Sequence, residues 1–288
     1  MTSHSELTCQ QVADWLETLA PPGLAEDYDN VGLLVGEASA PVRGILVALD
    51  ITPAVLAEAV DTGASLIVSH HPIWFRARKS LRGDDFVSQQ ILYAIRQGLA
   101  LYACHTNLDS IRDGVNRTIV DRLGLQNVEF LQPHKQSHQH GGHADAFCEA
   151  GTGMIGDLPE ALPLPQLLER VSELFGTPCI RYAPGPAGQP LQRLAVCGGA
   201  GSFLLPVARA RGAQAFLTAD VTYHHFFDTC DEMAYLDIGH YESEQFCVHV
   251  LRDYLAEKLQ SQGFVDIDVR ATRTNTNPIR YYSKPSAS

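Results

Sequence analysis

The chain has 288 residues, of which 45% are hydrophobic and 19% charged, and its formal net charge is −12 at pH 7. This composition is typical of a globular protein with one large or two ordinary domains, and it excludes an intrinsically disordered chain. The negative charge, with no basic run, argues against a general nucleic-acid-binding surface, because phosphate backbones are bound by clustered Lys and Arg.

The pattern of helical and alternating hydrophobic stretches predicts the secondary structure in chain order. Thr52 and Pro53 are typical of the first turn of a helix. The predicted helices cover residues 10–19, 53–60, 86–97, 114–123, 164–175, 203–211 and 242–259. The predicted strands cover residues 44–50, 64–69, 99–104, 193–197, 215–218, 233–238 and 264–270.

This alternation of strands and helices predicts an α/β fold with two α/β domains and a mainly parallel sheet in the larger one. The polar, glycine-bearing segment 132–145 predicts a loop or an inter-domain connector. We expect the larger domain to consist of residues 1–130 plus 236–288, and a smaller inserted domain to cover residues 131–235.

Three further features concern the cellular compartment. The first eight residues lack the basic start and apolar core of a signal peptide. No apolar stretch approaches the roughly 20 residues that span a bilayer. The seven cysteines are scattered without a Cys-x-x-Cys pair, a pattern typical of reduced thiols rather than a disulfide framework. We therefore expect a cytoplasmic protein without a membrane partner.

Two adjacent histidines, His70 and His71, follow the predicted strand over 64–69. Pro72 disfavours helical backbone at His71, so both imidazoles are expected at the carboxyl end of the strand. Open α/β sheets place their ligand crevice at that end. Taken alone, the pair fits a metal or catalytic site as well as it fits ordinary hydrogen-bonded histidines.

Two other predicted strand ends carry the same chemistry. One is followed by His105 and Asp109, and the other by His240 and Glu244, which lie four apart and would share a helix face. Imidazole and carboxylate suit Zn, Fe, Mn or Co, and the absence of cysteine disfavours a structural zinc site. Each motif alone also fits a polar turn or a solvated helix face. Their coincidence at three strand ends favours a metal site with ligands enough for two ions.

Six motifs along nearly the whole chain carry a family resemblance. They are Tyr28–Gly36, Leu49–Thr52, Ser69–Pro72, His105–Asp109, Thr218–His224 and Gly239–Glu244. With these motifs the chain resembles the NGG-interacting-factor-like family of dinuclear metal centre proteins. Bacterial members of that family are often called GTP cyclohydrolase 1 type 2 homologues.

The resemblance implies a toroidal homo-hexamer of two-domain α/β subunits, with a di-metal site that faces the inner cavity. The larger domain would be the metal-binding one, and each subunit would hold two divalent ions of zinc, iron or manganese. His105 would lie beside the ions, either as a support for a ligand or as a catalytic, proton-transferring group. The implied metal ligands are His70, His71, Asp109, His240 and Glu244.

The expected function is metal-dependent hydrolysis of a small, nucleotide-like substrate through a metal-activated water, as in a GTP cyclohydrolase or a phosphoesterase. No P-loop or guanine-reading motif identifies the substrate. The alternative is a non-enzymatic, metal-bound oligomer with a regulatory or scaffold role.

Two further segments have alternative interpretations. The loop with His134, His138, His140 and His143 predicts a flexible polar segment rather than a metal-uptake device. The glycine-rich segment Cys197–Ser202 predicts a tight turn between a strand and a helix, although its amides could hold an anionic group.

Two acidic residues outside the ligand set also invite a functional interpretation. Asp220 precedes the polar cluster of Tyr223, His224 and His225 and is expected to cap the following turn. The alternative is that this cluster lines a cavity opposite the metals. Asp29 is expected in a turn and could form hydrogen bonds with the ligating histidines.

Overall fold

The computed structural model describes residues 6–134, 149–229 and 231–282, which form two compact units. The described part of the first unit consists of residues 6–114 and 246–276. The described part of the second unit lies within residues 115–245 and 277–282. Each unit contains one β-sheet, so the predicted mixed α/β fold is confirmed.

The elements are numbered in chain order. The strands are β1 (Gly32–Val35), β2 (Gly44–Ala48), β3 (Leu66–Ser69), β4 (Ala100–Ala103), β5 (Gln126–Pro133), β6 (Gly151–Leu162), β7 (Arg181–Ala183), β8 (Leu191–Val196), β9 (Ala215–Thr218), β10 (Ala234–Asp237) and β11 (Asp268–Ala271). The helices are α1 (Cys9–Leu19), α2 (Pro53–Thr62), α3 (Phe86–Gln97), α4 (Thr106–Asp109), α5 (Val115–Leu123), α6 (Leu164–Phe175), α7 (Leu205–Ala210), α8 (His240–Glu244) and α9 (Cys247–Ser261). Among the described residues, no helix combines the length and the apolar character that a membrane crossing requires.

The first unit is built on a five-stranded sheet with the order β1-β4-β3-β2-β11. The pairs β4–β3, β3–β2 and β2–β11 are parallel, and β1 is antiparallel to β4. Every residue of β2, β3 and β4 is buried, as expected for strands covered on both faces. Ser69 pairs with Ala103 at the ends of β3 and β4, so the segments that follow these two strands leave the same edge of the sheet.

Local capping sets the ends of the helices in this unit. The side chain of Thr52 accepts a hydrogen bond from the Val55 amide at the start of α2, as the sequence predicts, and Gly63 ends the helix with φ +74°. In α3 the same roles fall to Asp85 and Gly98. Such caps satisfy backbone groups that a helix leaves without partners at its ends.

The second unit is built on a six-stranded sheet with the order β5-β6-β8-β9-β10-β7. Its centre is parallel, because β9 pairs in the same direction with β8 and β10, whereas β5, β6 and β7 run antiparallel to their neighbours. The carboxyl ends of β8, β9 and β10 therefore lie at one edge. The glycine-rich segment, Asp220 and His240 follow these three ends.

The sequence pattern does not predict several strands of this sheet. The twelve-residue β6 contains Gly151, Gly153 and Gly156, which resemble turn signals. They are needed because neighbouring strands approach closely: a Cβ at Gly153 would lie 2.9 Å from the Val196 carbonyl oxygen. The sequence pattern also does not predict the short strand β7, the connecting strand β5 and, in the sheet of the first unit, the short strand β1.

Two expected boundaries differ from the structure. The expected domain limits at 130/131 and 235/236 fall inside the second unit, because β5 pairs with β6. The helix predicted over 242–259 is two helices, α8 and α9, with Gln245 and Phe246 between them. The apolar spacing from 246 onward belongs to α9 alone, and α8 forms the separate turn that carries His240.

Glu58 on α2 holds the segment that follows β11. Its carboxylate accepts hydrogen bonds from the hydroxyls of Thr272 (2.5 Å) and Thr274 (2.8 Å) and from the Arg273 amide (2.9 Å). Burial raises the pKa of Glu58, but these hydrogen bonds outweigh burial and leave the pKa below its usual value. The ionised carboxylate therefore stabilises the folded protein.

A carboxyl whose folded pKa is lowered contributes stability above its unfolded pKa and loses it as the pH falls through the folded pKa. We expect Glu58→Gln to be less stable than wild type by about 1–3 kcal/mol at neutral pH. This difference should shrink once the pH falls below about 4.3, the pKa of an unfolded glutamate. Urea denaturation of both proteins across this range measures it, and a difference that does not change with pH contradicts it.

Candidate metal centre

Three histidines of the first unit lie together where β3 and β4 end. His70 and His71 follow β3, and His105 follows β4. Their ring centroids are separated by 4.9 Å (His70–His71), 5.1 Å (His70–His105) and 5.3 Å (His71–His105). One ring nitrogen from each lies within 4.8 Å of the others, so the three could hold one metal ion. We call them the three-histidine group.

The first two histidines are held by hydrogen bonds at Nδ1. His70 Nδ1 lies 2.9 Å from the carbonyl oxygen of Cys104, and His71 Nδ1 lies 2.7 Å from Asp50 Oδ1. Because a carbonyl oxygen only accepts, Nδ1 of His70 carries the hydrogen and the neutral ring has its lone pair on Nε2. Protein metal sites commonly hold their histidine ligands in this way.

His105 is held by the buried carboxylate of Asp29. Its Nδ1 lies 2.8 Å from Asp29 Oδ1, and Asp29 Oδ2 accepts hydrogen bonds from the Thr106 amide (3.0 Å) and hydroxyl. Burial opposes ionisation of Asp29, but the hydrogen bonds from His105 and Thr106 outweigh it and hold the pKa of Asp29 well below its usual range. Asp29 therefore accepts a hydrogen bond from His105, which is not one of the implied metal ligands, rather than from the ligating histidines that the sequence suggests.

Asp109 ends the single turn of α4 and adds a carboxylate to this group. Its Oδ1 lies 3.7 Å from His70 Nε2. Asn107 holds the turn, since its Oδ1 accepts a hydrogen bond from the His105 amide (2.9 Å) and its Nδ2 donates to the Ala20 carbonyl (2.7 Å). The same motif is thus both a hydrogen-bonded turn and a source of candidate ligands.

His240 and Glu244 form the corresponding pair in the second unit. They lie four residues apart on α8, and His240 Nε2 is 3.0 Å from Glu244 Oε2, as the helix spacing predicts. On the other side of the ring, His240 Nδ1 lies 2.8 Å from Asp220 Oδ2. We call His240 and Glu244 the His240–Glu244 pair.

Asp220 has a different role from the one expected. Its described contact is the hydrogen bond to His240 rather than a cap on the following turn, and its backbone has φ +54°. Burial disfavours the protonated ring of His240, but the carboxylates of Asp220 and Glu244 outweigh burial and raise the pKa of His240 to about 11. Without a metal the ring is therefore protonated, and a bound cation would replace that proton.

The glycine-rich segment forms the predicted turn between β8 and the 3₁₀ segment Ser202–Leu204. Its amides donate to side chains: Gly198 to Asn116 (3.0 Å), Gly199 to Ser243 (3.0 Å) and Gly201 to Thr218 (2.9 Å). An anion-binding role is not supported, because these three donors already have partners.

The structure describes only some of the remaining sequence candidates. Tyr223, His224 and His225 lie in the 3₁₀ segment Tyr223–Thr229. His134 follows β5, and its Nε2 lies 2.9 Å from the Thr152 hydroxyl. His138, His140 and His143 lie outside the described residues.

The chain as a whole matches one family of proteins. The model of the Duf34/NIF3 family (NGG1p interacting factor 3) matches residues 7–278. The chain belongs to the NIF3 family. The family resemblance that the sequence motifs indicate is thereby confirmed.

Individual NIF3 relatives cover nearly the full length of the chain. A Clostridium acetobutylicum protein named GTP cyclohydrolase 1 type 2 homolog is 32% identical over 276 residues, which is 96% of this chain and 99% of the relative. A Nostoc protein with the same name is 32% identical over 251 residues, 86% of this chain and 89% of the relative. A solved Bacillus cereus protein related to NIF3 has a TM-score of 0.86 at 23% identity and covers 97% of this chain and 100% of its own. This last likeness shows the shared fold.

Proposed function

We propose that this NIF3-family protein binds divalent metal ions and hydrolyses a small, nucleotide-like substrate. The observation that carries the proposal is the three-histidine group, whose ring nitrogens lie within 4.8 Å of one another. His70 and His71 would be ligands together with Asp109, and His105 would lie beside the ion. This donor set contains imidazole and carboxylate but no cysteine, which suits Zn, Fe or Mn and a site with open positions. When bound, such ions lower the pKa of a coordinated water and polarise a carbonyl or phosphoryl group.

The residues have separate roles in this proposal. His70, His71 and Asp109 would hold one ion, and His240 with Glu244 would hold another. The resemblance supports the further proposals that both ions form one dinuclear centre and that the subunits form a hexamer. Light scattering should then give a mass six times the 31.5 kDa of one chain.

Metal content and turnover test the proposal. Purified protein, passed over a chelating resin, is analysed for metals, and anomalous scattering locates them. Fewer than about one ion per chain, with none at His70 or His240, overturns the metal assignment.

Turnover is then measured on GTP, other nucleotides and phosphodiesters, with metal-stripped protein as the control. Bound metal without turnover on any of them favours the non-enzymatic scaffold.

His105 is assigned proton transfer. Asp29 fixes its ring through Nδ1, so Nε2 can accept and return a proton, an arrangement typical of general acid–base histidines. We expect His105→Gln to keep the metal content of wild type while the hydrolysis rate falls by about 10²–10⁴-fold. His249→Gln, an exposed change on α9, serves as the matched control. Loss of an ion in His105→Gln would instead identify His105 as a ligand.

A further inference from the structure

The backbone of Gly199 lies directly against the His240–Glu244 pair. Its φ is +60°, and a Cβ added to it would lie 2.3 Å from Glu244 Oε1 and 3.3 Å from His240 Cε1. A contact of 2.3 Å is shorter than atoms tolerate, so a side chain at this position fits only if the Glu244 carboxylate moves. The main chain at Gly199 therefore packs directly against the two candidate ligands.

Hydrogen bonds hold the backbone of Gly199 on both sides. The Gly199 amide donates to the Ser243 hydroxyl (3.0 Å), and this hydroxyl donates to the His240 carbonyl (2.8 Å). The Gly199 carbonyl accepts from the Thr218 hydroxyl (2.9 Å) and the Ala219 amide (2.8 Å). Ser243 and Thr218 are both fully buried. The turn is thus tied to α8 on one side and to the end of β9 on the other, and it cannot move away easily.

We propose that Gly199 is a positioning residue for the His240–Glu244 pair, and that the glycine-rich turn sets the spacing of these two ligands for a divalent cation. Glu244 Oε2 and His240 Nε2 lie 3.0 Å apart, while Oε1 of the same carboxylate faces Gly199. A methyl group at this position would push the carboxylate away from its place beside the imidazole. The inference rests on the proposed metal-binding function and assigns to this turn a role other than anion binding.

The matched control is Gly176, which follows α6 in the same unit. Its φ is +65°, close to that of Gly199, but a Cβ there would meet no atom within 4 Å. Alanine at either position adopts the same unfavourable left-handed backbone, so both variants carry a similar conformational cost. Only Gly199→Ala adds a contact with the candidate ligands.

The first measurement uses metal-free protein and is independent of metal binding. Correlation spectra of the ¹⁵N-labelled histidine rings are recorded for wild type, Gly199→Ala and Gly176→Ala, with His240→Gln assigning the signal. We expect the His240 ring signals to shift in Gly199→Ala and to stay in place in Gly176→Ala. Unchanged His240 signals in Gly199→Ala overturn the inference and leave the proposed metal binding intact.

The second measurement is calorimetric titration with Zn²⁺ of the same three proteins. We expect the affinity at the pair to fall by about 10–100-fold in Gly199→Ala, the size of effect seen when a residue that orients a ligand is lost. Gly176→Ala should match wild type, and equal losses in both variants overturn the inference. Wild-type protein that takes up no ion overturns the proposed function and this inference together.

A double variant covers the case in which Gly199→Ala does not fold. Glu244→Asp shortens the side chain that the new methyl group would touch. We expect Gly199→Ala combined with Glu244→Asp to fold, with a melting temperature below that of Glu244→Asp alone by no more than Gly176→Ala lies below wild type. Independent, additive losses would mean that Gly199 does not act through Glu244.

Discussion

The His71→Ala variant is expected to lose the metal ion of the three-histidine group. Loss of a residue that only orients a ligand costs about 10–100-fold in affinity, so removal of a ligand itself should exceed about 100-fold. The fold should survive, because the His71 side chain is partly exposed and its partner Asp50 still accepts a hydrogen bond from the Thr276 hydroxyl (2.6 Å).

Metal analysis and competition with a chromophoric chelator measure this loss. His249→Ala, which changes an exposed histidine of the same unit, controls for nonspecific binding. Asp50→Asn should give an intermediate result, since it weakens the hold on the His71 ring but leaves the ligand in place. Equal metal content in His71→Ala and His249→Ala would show that His71 is not a metal ligand.

The Asp29→Ala variant is expected to unfold far more readily than wild type. The Asp29 side chain is fully buried, and its two oxygens accept hydrogen bonds from His105, Thr106 and the Asn30 amide (2.7 Å). Removing the carboxylate leaves these buried donors without their acceptor, and each unsatisfied donor costs about 1–3 kcal/mol. The same change releases the His105 ring, so hydrolysis should fall together with stability.

Thermal and urea denaturation measure the stability loss. Asp27→Ala is the matched control, because Asp27 lies two residues away and is exposed; its change should stay within about 0.5 kcal/mol. If Asp29→Ala were as stable as Asp27→Ala, the carboxylate would not be the support of His105 that the structure indicates.

The sequence predicts most accurately the elements whose ends are capped locally. The limits of α3 and α6 agree with the prediction because each ends at a glycine with a positive φ, Gly98 and Gly176. The pairing of His240 with Glu244 also follows from local spacing alone. In these cases the decisive residues lie within a few positions of one another.

The missed features depend on distant partners. Asp50 holds His71 across two neighbouring strands, and Asp220 holds His240 in the same manner. Each acidic residue lies about twenty positions from its histidine, so the pairing appears only after the order of the strands is known. The position of Asp50 at the end of a strand was a usable signal, because parallel neighbours end at one edge.

The three carboxylates around the three-histidine group also set its net charge. Asp29, Asp50 and Asp109 each contact one of its imidazoles, so with neutral rings and ionised carboxylates the group carries three negative charges. One divalent cation held by His70, His71 and Asp109 would leave a net charge of −1 on this group, which still repels a phosphate. The group with its proposed ion would therefore favour neutral or cationic ligands, and an anionic ligand would need further positive charge nearby to bind there.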